Sequence, residues 1–406
     1  MEALVLDMTH GGFVIAERLM DRGWGVTCVD VYKVSSPECD ARMAARGLVA
    51  LDEAPERHFD AVIMPAHCPD SFIGKASFDR KLTFSDAVKE LIPDGLPFRI
   101  EVTGVKGKTS ACYLLAHILD SCGKKVFLHS SRGQGPYSGG SHKVEALRSI
   151  APPFILELPT EGYDVIISEV SLGGSGRADI AVITNLVDDY GIAKDTRKAS
   201  DAKVQIFSSG TNFVKEDELD FWRARASGFD FKTFGENCRA IDAPKLGSPL
   251  RIKYSYQGAQ WEASLSPDYI STQYLPAIDT VLRISESMGI QADKVKGALE
   301  SFRGVPGRGE VYFQDGRWLV KERNPGISHI SIGMTMECLK AMGALDGCFV
   351  VVDPVSRKVC DKMKAPLIRE VLDGYGVEYV ITDGKGEEVD VSGHKTVVTF
   401  IKEAWQ

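Results

Sequence analysis

The run Ile100-Glu101-Val102-Thr103-Gly104-Val105-Lys106-Gly107-Lys108-Thr109-Ser110 constrains this chain more than any other. It sets an apolar β-branched strand, a glycine turn and a helical pattern in direct succession, the opening of a parallel α/β unit. Glycines let successive backbone N–H groups converge on phosphate oxygens, and a helix N-terminus adds positive partial charge. In this geometry the residues from Thr103 to Ser110 (Thr103, Gly104, Val105, Lys106, Gly107, Lys108, Thr109, Ser110) form the cradle. Lys108 reaches the β- and γ-phosphates, and the Thr109 hydroxyl ligates Mg²⁺. The longer form of such a loop needs glycine where Val102 stands, so this is the shorter T-G-x-x-G-K-T type. A Gly-Lys-Thr in an arbitrary turn is common, whereas one placed between strand and helix is not.

A nucleotide must here be held against the bulk charge, since the 406 residues carry a formal net charge of -8. A polyanion therefore requires a local cluster of donors, and nucleic acid has no electrostatic support as a partner. Hydrophobic residues make up 44% and charged residues 26%, a globular composition that argues against disorder. Nine cysteines scatter from Cys28 to Cys360 without a Cys-x-x-Cys pair, which suits reduced thiols rather than a disulfide framework or zinc site. The start, MEALVLDM, lacks a signal-peptide pattern, and no uncharged apolar run approaches the roughly 20 residues of a membrane span. A cytoplasmic protein without a membrane partner, monomeric or homodimeric, is expected.

Length and punctuation predict three α/β domains in series. Residues 1–95 begin with a β-α-β pattern: strand Ala3 to Asp7, a Gly11-Gly12 turn, a helix through Arg22 and strand Val26 to Asp30. The glycine fingerprint of a dinucleotide fold is incomplete, so substrate binding or plain packing is favoured over NAD, and a dehydrogenase rests only on Gly11, Gly12 and Asp30. Pro93-Asp94-Gly95-Leu96-Pro97 closes that segment. Residues 96–306 hold the phosphate loop, strands at Asp164 to Glu169 and Ile180 to Thr184, a β-rich stretch from Phe229 to Leu265, and helices at Thr272 to Met288 and Ala292 to Phe302. Gly304-Val305-Pro306-Gly307 opens residues 307–406, where Gln314-Asp315-Gly316 reads as a hairpin turn before another alternating pattern.

Magnesium needs further hard oxygens. Glu169, at the end of its strand, and Asp188 and Asp189, beyond the next one, lie where α/β sheets place ligands. Solvated loop acids are the plainer reading of the Asp pair.

With those residues in place, the order of motifs resembles the Mur ligase family of ATP-dependent ligases. Thr103 to Thr109 is similar to that family's T-G-T-N-G-K-T loop, and Glu169-Val170-Ser171 to its magnesium-binding Glu-x-Ser. Ala178 to Asn185 resembles its central strand, Ala202-Lys203-Val204-Gln205-Ile206-Phe207 its lysine segment, and Gly307-Arg308-Gly309-Glu310 the opening of its C-terminal domain. Asn324-Pro325-Gly326 stands where the family has an Asn-Pro run. The resemblance implies an N-terminal Rossmann-like substrate domain, a central ATP-binding P-loop domain and a C-terminal Rossmann-like domain. It implies ATP and Mg²⁺, activation of a carboxylate as an acyl phosphate, and catalytic roles for Lys108, Glu169 and Lys203. It also implies nucleotide contacts from Asn185, Gln273, Arg308 and Asn324, and Thr109 and Glu169 as metal ligands. Lys203 is carbamylated in many members; as a plain surface lysine it would do nothing.

The chain also departs from the pattern. Tyr190 follows Asp189 where a histidine is usual, the ribose-binding aspartate falls near Lys321 with Glu322 as the nearest acid, and Gln273 is the nearest match to an adenine-contacting pair. The Asp7-Met8-Thr9-His10-Gly11-Gly12 start, the short length and these departures resemble family members that act on a nickel tetrapyrrole carboxylic acid. For such a substrate the resemblance implies activation of a propionate and ring closure by a carbon nucleophile, with release of ADP and phosphate. The alternative is an amide-forming ligase adding an amino acid to a cell-wall or related precursor; a non-catalytic nucleotide-binding protein is a third reading. His10 and His67 are candidates to face the substrate or to move a proton, Gly11 and Gly12 are expected to contact the substrate with them, and Arg132 suits bidentate contact with a carboxylate. Its stretch, His129 to Tyr137, reads equally as a mobile loop.

Overall fold

The structure, a computed structural model, describes residues 1–354, 363–382 and 389–402; Cys360 lies outside them. Among the described residues three α/β units follow one another, and the eight cysteines are free thiols. No helix there is long and apolar enough to cross a membrane.

The first unit is a parallel sheet of β1 (Glu2–Leu6), β2 (Gly25–Val29), β3 (Ala50–Leu51), β4 (His58–Met64) and β5 (Ser77–Thr83), in the order β3-β2-β1-β4-β5. Helices α1 (Gly12–Asp21), α2 (Pro37–Ala45) and α3 (Phe84–Leu91) accompany it. A capping box opens α3: Asp86 N–H donates to Thr83 Oγ1 at 3.1 Å and Thr83 N–H to Asp86 Oδ2 at 2.9 Å. Such a cap contributes about 1 kcal/mol. The sequence alternation does not mark β5, because SFDRKLT is charged and largely exposed, the dress of an edge strand. Strand order reverses between β1 and β4, so the crevice at their carboxyl ends is the switch point where such sheets take ligands.

The central unit contains β6 (Phe98–Thr103), β7 (Val126–Ser130), β8 (Gly133–Ser138), β9 (Ser141–His142), β10 (Val165–Glu169), β11 (Ile180–Ile183), the short pair β12 (Gly191–Ile192) and β13 (Arg197–Lys198), β14 (Thr211–Lys215) and β15 (Phe231–Phe234). Its main sheet runs β15-β14-β11-β6-β10-β7-β8-β9, so β6 lies between β10 and β11 with their carboxyl ends together. The helix after the loop, α4 (Lys108–Ser121), is apolar nearly all round and buries Ala111 to Leu119. A helix without a polar face must be enclosed. It lies between the sheet and α7 (Leu275–Ser287) and α8 (Ala292–Ser301), which follow α5 (Ala199–Lys203) and α6 (Leu219–Arg225) along the chain. The antiparallel β16 (Cys238–Ala240), β17 (Leu250–Tyr256) and β18 (Ala259–Leu265) account for the β-rich composition there.

Two helices are shorter than the sequence predicts. The turn from Ser271 to Tyr274 is 3₁₀, and α7 starts at Leu275, where Pro276 suits the first turn. The stretch Ala199 to Phe207 is helical only to Lys203, then 3₁₀ to Ile206. The glycine-rich residues after His129 are neither clamp nor mobile loop but the hairpin strand β8, paired antiparallel with β7.

The last unit has β19 (Arg308–Gln314), β20 (Arg317–Arg323), α9 (His329–Ala341), β21 (Cys348–Asp353), α10 (Ala365–Tyr375), β22 (Glu378–Ile381) and β23 (Thr396–Ile401), the strands ordered β19-β20-β23-β21-β22. Asp315 and Gly316 make the predicted hairpin turn, with φ of 50° and 76°.

The first two units share one apolar cluster. Phe154, on a 3₁₀ turn from Pro152 to Glu157, meets Phe13 edge to face with ring centroids 6.1 Å apart. Arg42 bridges Glu17 and Glu157 across the same seam, with a closest approach of 2.5 Å to each.

Candidate functional site

The strand β6 delivers the chain into the glycine turn at the carboxyl end of the sheet, between β10 and β11. The turn is tied down from β11: Val105 N–H donates to the Asn185 carbonyl (3.0 Å), Lys106 N–H to Asn185 Oδ1 (3.1 Å), and Thr184 Oγ1 to the Lys106 carbonyl (2.7 Å). Asn185 is thus spent on holding the loop rather than facing a ligand. Gly104 has φ of 138°, and a Cβ there would stand 2.0 Å from Thr184 Oγ1, so only glycine fits. The first-turn N–H groups of α4, from Lys108 onward, have no partner within the helix by construction. They open onto a cavity of about 620 Å³.

Glu169, at the end of β10, accepts from Thr109 Oγ1 and from Ser131 N–H, each at 3.0 Å. A buried carboxylate beside a buried hydroxyl is the hard-oxygen donor set that magnesium takes. From the last unit Arg308 Nη2 donates to the same Thr109 Oγ1 at 3.0 Å, while its Nε is buried without a partner. A buried donor left open at a phosphate loop fits an anion that would satisfy it. Lys108 Nζ donates to the Gly104 carbonyl at 3.2 Å, and burial, with Arg308 nearby, lowers its pKa although Glu169 opposes this. Lys106 spans to the last unit, donating to Ser331 Oγ (2.7 Å), Gly326 O (3.0 Å) and Ser328 Oγ (3.2 Å). Burial first, then Lys108 and Arg308, push its pKa down from 10.5 to about 8.

Lys203 is fully buried, not a surface lysine. Its Nζ donates to Ser171 O (2.9 Å), Gly104 O (3.0 Å) and Thr103 Oγ1 (3.4 Å), and burial drives its pKa well down. Lys106, Lys108 and Arg308 thus line the cavity beside Glu169 and Glu322, with Lys203 buried behind the loop, and these cations supply the local positive field that a chain of net charge -8 requires.

Gln273 and Asn324 line the same cavity. Gln273 Nε2 donates to Thr335 Oγ1 at 2.7 Å, and Thr335 Oγ1 to Glu322 Oε1 at 3.3 Å. Glu322 faces that cavity too, and burial raises its carboxyl to about 7 despite Arg308. The Asp pair is a correction: Asp189 accepts Ser200 N–H and Ser200 Oγ, both at 2.8 Å, capping α5 instead of reaching the metal position, and Asp188 is exposed.

A second cavity, of about 350 Å³, lies at the switch point of the first sheet. His10 and His67 line it from the ends of β1 and β4, and Ser171 and Ile150 line both cavities, so the two share a wall. Gly11 and Gly12 do not line it; they permit the turn. Gly11, φ 96°, approaches Phe154 so closely that a Cβ would stand 2.9 Å from its ring, and a Cβ on Gly12 would meet Asp7 O at 2.5 Å. Arg132 is not brought to this cleft: its guanidinium donates to the Pro306 carbonyl at the edge of the last unit.

Sequence reasoning missed Asp7. It follows β1 directly, at φ 72°, and its carboxylate is wholly buried. Burial raises its pKa, but the His10 hydrogen bond and the charges of His10 and His67 outweigh that, and the net shift is downward. The D-x-x-H spacing was the available signal. Asp7, His10 and His67 lie close enough to be weighed as a metal triad, with ligand atoms within 4.8 Å of one another. Yet His10 Nδ1 is 2.6 Å from Asp7 Oδ2. Ligands on a tetrahedral ion at about 2.05 Å stand roughly 3.3 Å apart, so this is a hydrogen-bonded group.

Residues 102–265 match the family model described as the Mur ligase middle domain. Coenzyme F(430) synthetase of Methanosarcina acetivorans is 28% identical over 446 residues, covering 99% of this chain and 94% of that protein. The protein of the same name from Methanocaldococcus jannaschii is 25% identical over 412 residues, covering 95% and 91%. Among solved structures, the MurF ligase from Thermotoga maritima in complex with ADP superposes with a TM-score of 0.56 at 16% identity, over 86% of this chain and 85% of that one. An FPGS–AMPPCP–folate complex gives 0.53 at 16% identity, over 78% and 90%. The chain has the Mur-ligase-like fold.

Proposed function

We propose that this protein is an ATP-dependent ligase that phosphorylates a substrate carboxylate and then joins the activated carbonyl to a carbon nucleophile of the same molecule. The substrate in this reading is a nickel tetrapyrrole seco-acid, whose propionate is activated and whose last carbocyclic ring is closed with release of ADP and phosphate. The observation that carries it is the shared wall of the two cavities: Ser171 and Ile150 place a histidine-lined cleft beside the phosphate loop.

Residues 1–95 take the substrate, 96–306 bind the nucleotide, and 307–406 cover it. The amides of Gly104 to Ser110 and the Lys108 ammonium hold the triphosphate. Arg308 reaches it from the last unit, while Gln273, Glu322 and Asn324 face the nucleoside. Thr109 and Glu169 would hold Mg²⁺, which supplies charge neutralisation on the transferring phosphate. Lys203 acts as a positioning residue, tying Gly104 to Ser171 and so the phosphate loop to the substrate wall. Most of the rate enhancement in such a reaction comes from alignment and from preorganised positive charge.

Incubation with MgATP and the seco-acid tests this. ADP, phosphate and a product lighter by one water are expected. No ADP release with that acid, together with turnover of a UDP-linked peptide precursor and an amino acid, would replace this reading with an amide-forming ligase.

A further inference from the structure

We propose that His10 is the general base of the ring-closing step and that Asp7 is the positioning residue that fixes its tautomer. This rests on the carbon-nucleophile reading above and names the group that makes the nucleophile.

An acyl phosphate is electrophilic enough to be attacked, but a C–H bond does not attack until its proton is removed. In the reading above the groups at the phosphate loop are engaged with the triphosphate, and the histidine-lined cavity that takes the substrate is left to supply the base. There the Asp7 carboxylate accepts the His10 Nδ1–H at 2.6 Å and the His10 backbone N–H at 3.1 Å. With Nδ1 protonated in the neutral ring, Nε2 carries the lone pair. The ring is 28% exposed and lines the cavity. Its plane is fixed by His67, edge to face at 4.5 Å, and by Tyr32, edge to face at 5.8 Å. His67 cannot serve in the same way, because its Nε2 is buried 3.4 Å from Asp7 Oδ2 and off line for a hydrogen bond.

The backbone supports the same assignment. Asp7 adopts the left-handed region, which costs about 1 kcal/mol or more for a non-glycine residue and tends to persist where function holds it. The titratable and charged groups around His10 are Asp7, His67 and Tyr32, with Cys68 beneath them, Asp30 reached through Thr9, and Arg197 held on the Cys68 carbonyl. Burial pushes the Cys68 thiol up to about 12, so it stays neutral, and Asp7 is the carboxylate in direct contact with the ring.

In the step itself His10 Nε2 takes the proton from a carbon adjacent to an activating group. The C–H electron pair attacks the acyl carbon, the C–C bond forms, and the C–O bond to phosphate breaks with its pair leaving on inorganic phosphate. The proton stays on the imidazolium, stabilised by Asp7, and passes to solvent after release.

The test runs the seco-acid and MgATP with and without hydroxylamine, which traps an acyl phosphate as a hydroxamate. Wild type should give the hydroxamate; its absence would sink the acyl-phosphate reading itself, apart from any role of His10. H10Q and D7N, the latter chosen because asparagine also tolerates a left-handed backbone, should still release ADP and give the hydroxamate. Both should close the ring about 10²-fold or more slowly. Added imidazole should restore part of the closure to His10→Ala. In D7N the kcat for ring closure should fall while the KM for the seco-acid stays within about threefold of wild type, because the ring's orientation and not the substrate cleft is lost. Ring closure by H10Q within about threefold of wild type, or loss of hydroxamate and ring product together, would overturn the assignment.

Discussion

Replacing Lys106 by Met should abolish a proton uptake that accompanies ATP binding at pH 8. The wild-type ammonium is partly buried among Lys108, Arg308 and Lys402, and its pKa falls from 10.5 to about 8. With the site free of nucleotide, about half of Lys106 is therefore neutral at pH 8. A triphosphate in the loop supplies the countercharge that burial withholds and returns the pKa toward its ordinary value. The bound state is then almost fully protonated, and binding takes up about half a proton. The difference between 10.5 and about 8 corresponds to at most about 3 kcal/mol of recovered charge stabilisation. Solvent screening of a partly exposed chain reduces that figure. Calorimetric titration with MgATP in two buffers of different ionisation enthalpy measures the uptake directly. The part due to Lys106 should shrink on going to pH 6.5, where the ammonium is charged before and after binding. Equal uptake by wild type and Lys106→Met at pH 8, or none in wild type, would refute the reasoning.

Lys108→Ala should lower ATP turnover on the order of 10²-fold or more, since it removes a fixed charge aimed at the phosphates; phosphate release reports it. In Glu169→Gln the amide oxygen can still accept from Thr109 and Ser131, so circular dichroism should be unchanged. The half-saturating Mg²⁺ concentration for ATP turnover should nevertheless rise about 10-fold or more, and an unchanged metal titration would remove Glu169 from the metal site. Trp222 is fully buried against Phe207 at a ring distance of 5.7 Å, so Trp222→Ala should cost about 3–5 kcal/mol in urea unfolding followed by circular dichroism. A loss below about 1 kcal/mol would mean that the surrounding aromatic cluster collapses to fill the gap.

Much of this protein was legible locally. The phosphate loop declared itself because strand, glycines and helix are consecutive, and each needs only its neighbours to form. Alternating apolar segments placed most strands and helices, and the Asp315-Gly316 turn fixed its hairpin by positive φ alone. The charged edge strand β5 and the glycine-rich β8 escaped, because pairing with a neighbour, rather than apolar pattern, makes them strands.

What the sequence determined by itself was therefore the set of chemical parts: a loop for phosphates, an acid at a strand end, a row of α/β units and histidines near two strand ends. Only the tertiary structure decided which of those parts meet. It spent Asn185 on the loop and Asp189 on a helix start, turned Arg132 away to Pro306, and buried Lys203 between Gly104 and Ser171. It also drew Asp7 out of an apolar strand to face His10 and His67 across the switch point. The physical reason is that a hydrogen bond acts over about 3 Å and takes no account of distance along the chain. The partner of each polar group is thus fixed by how the sheets pack, which no short stretch of sequence encodes.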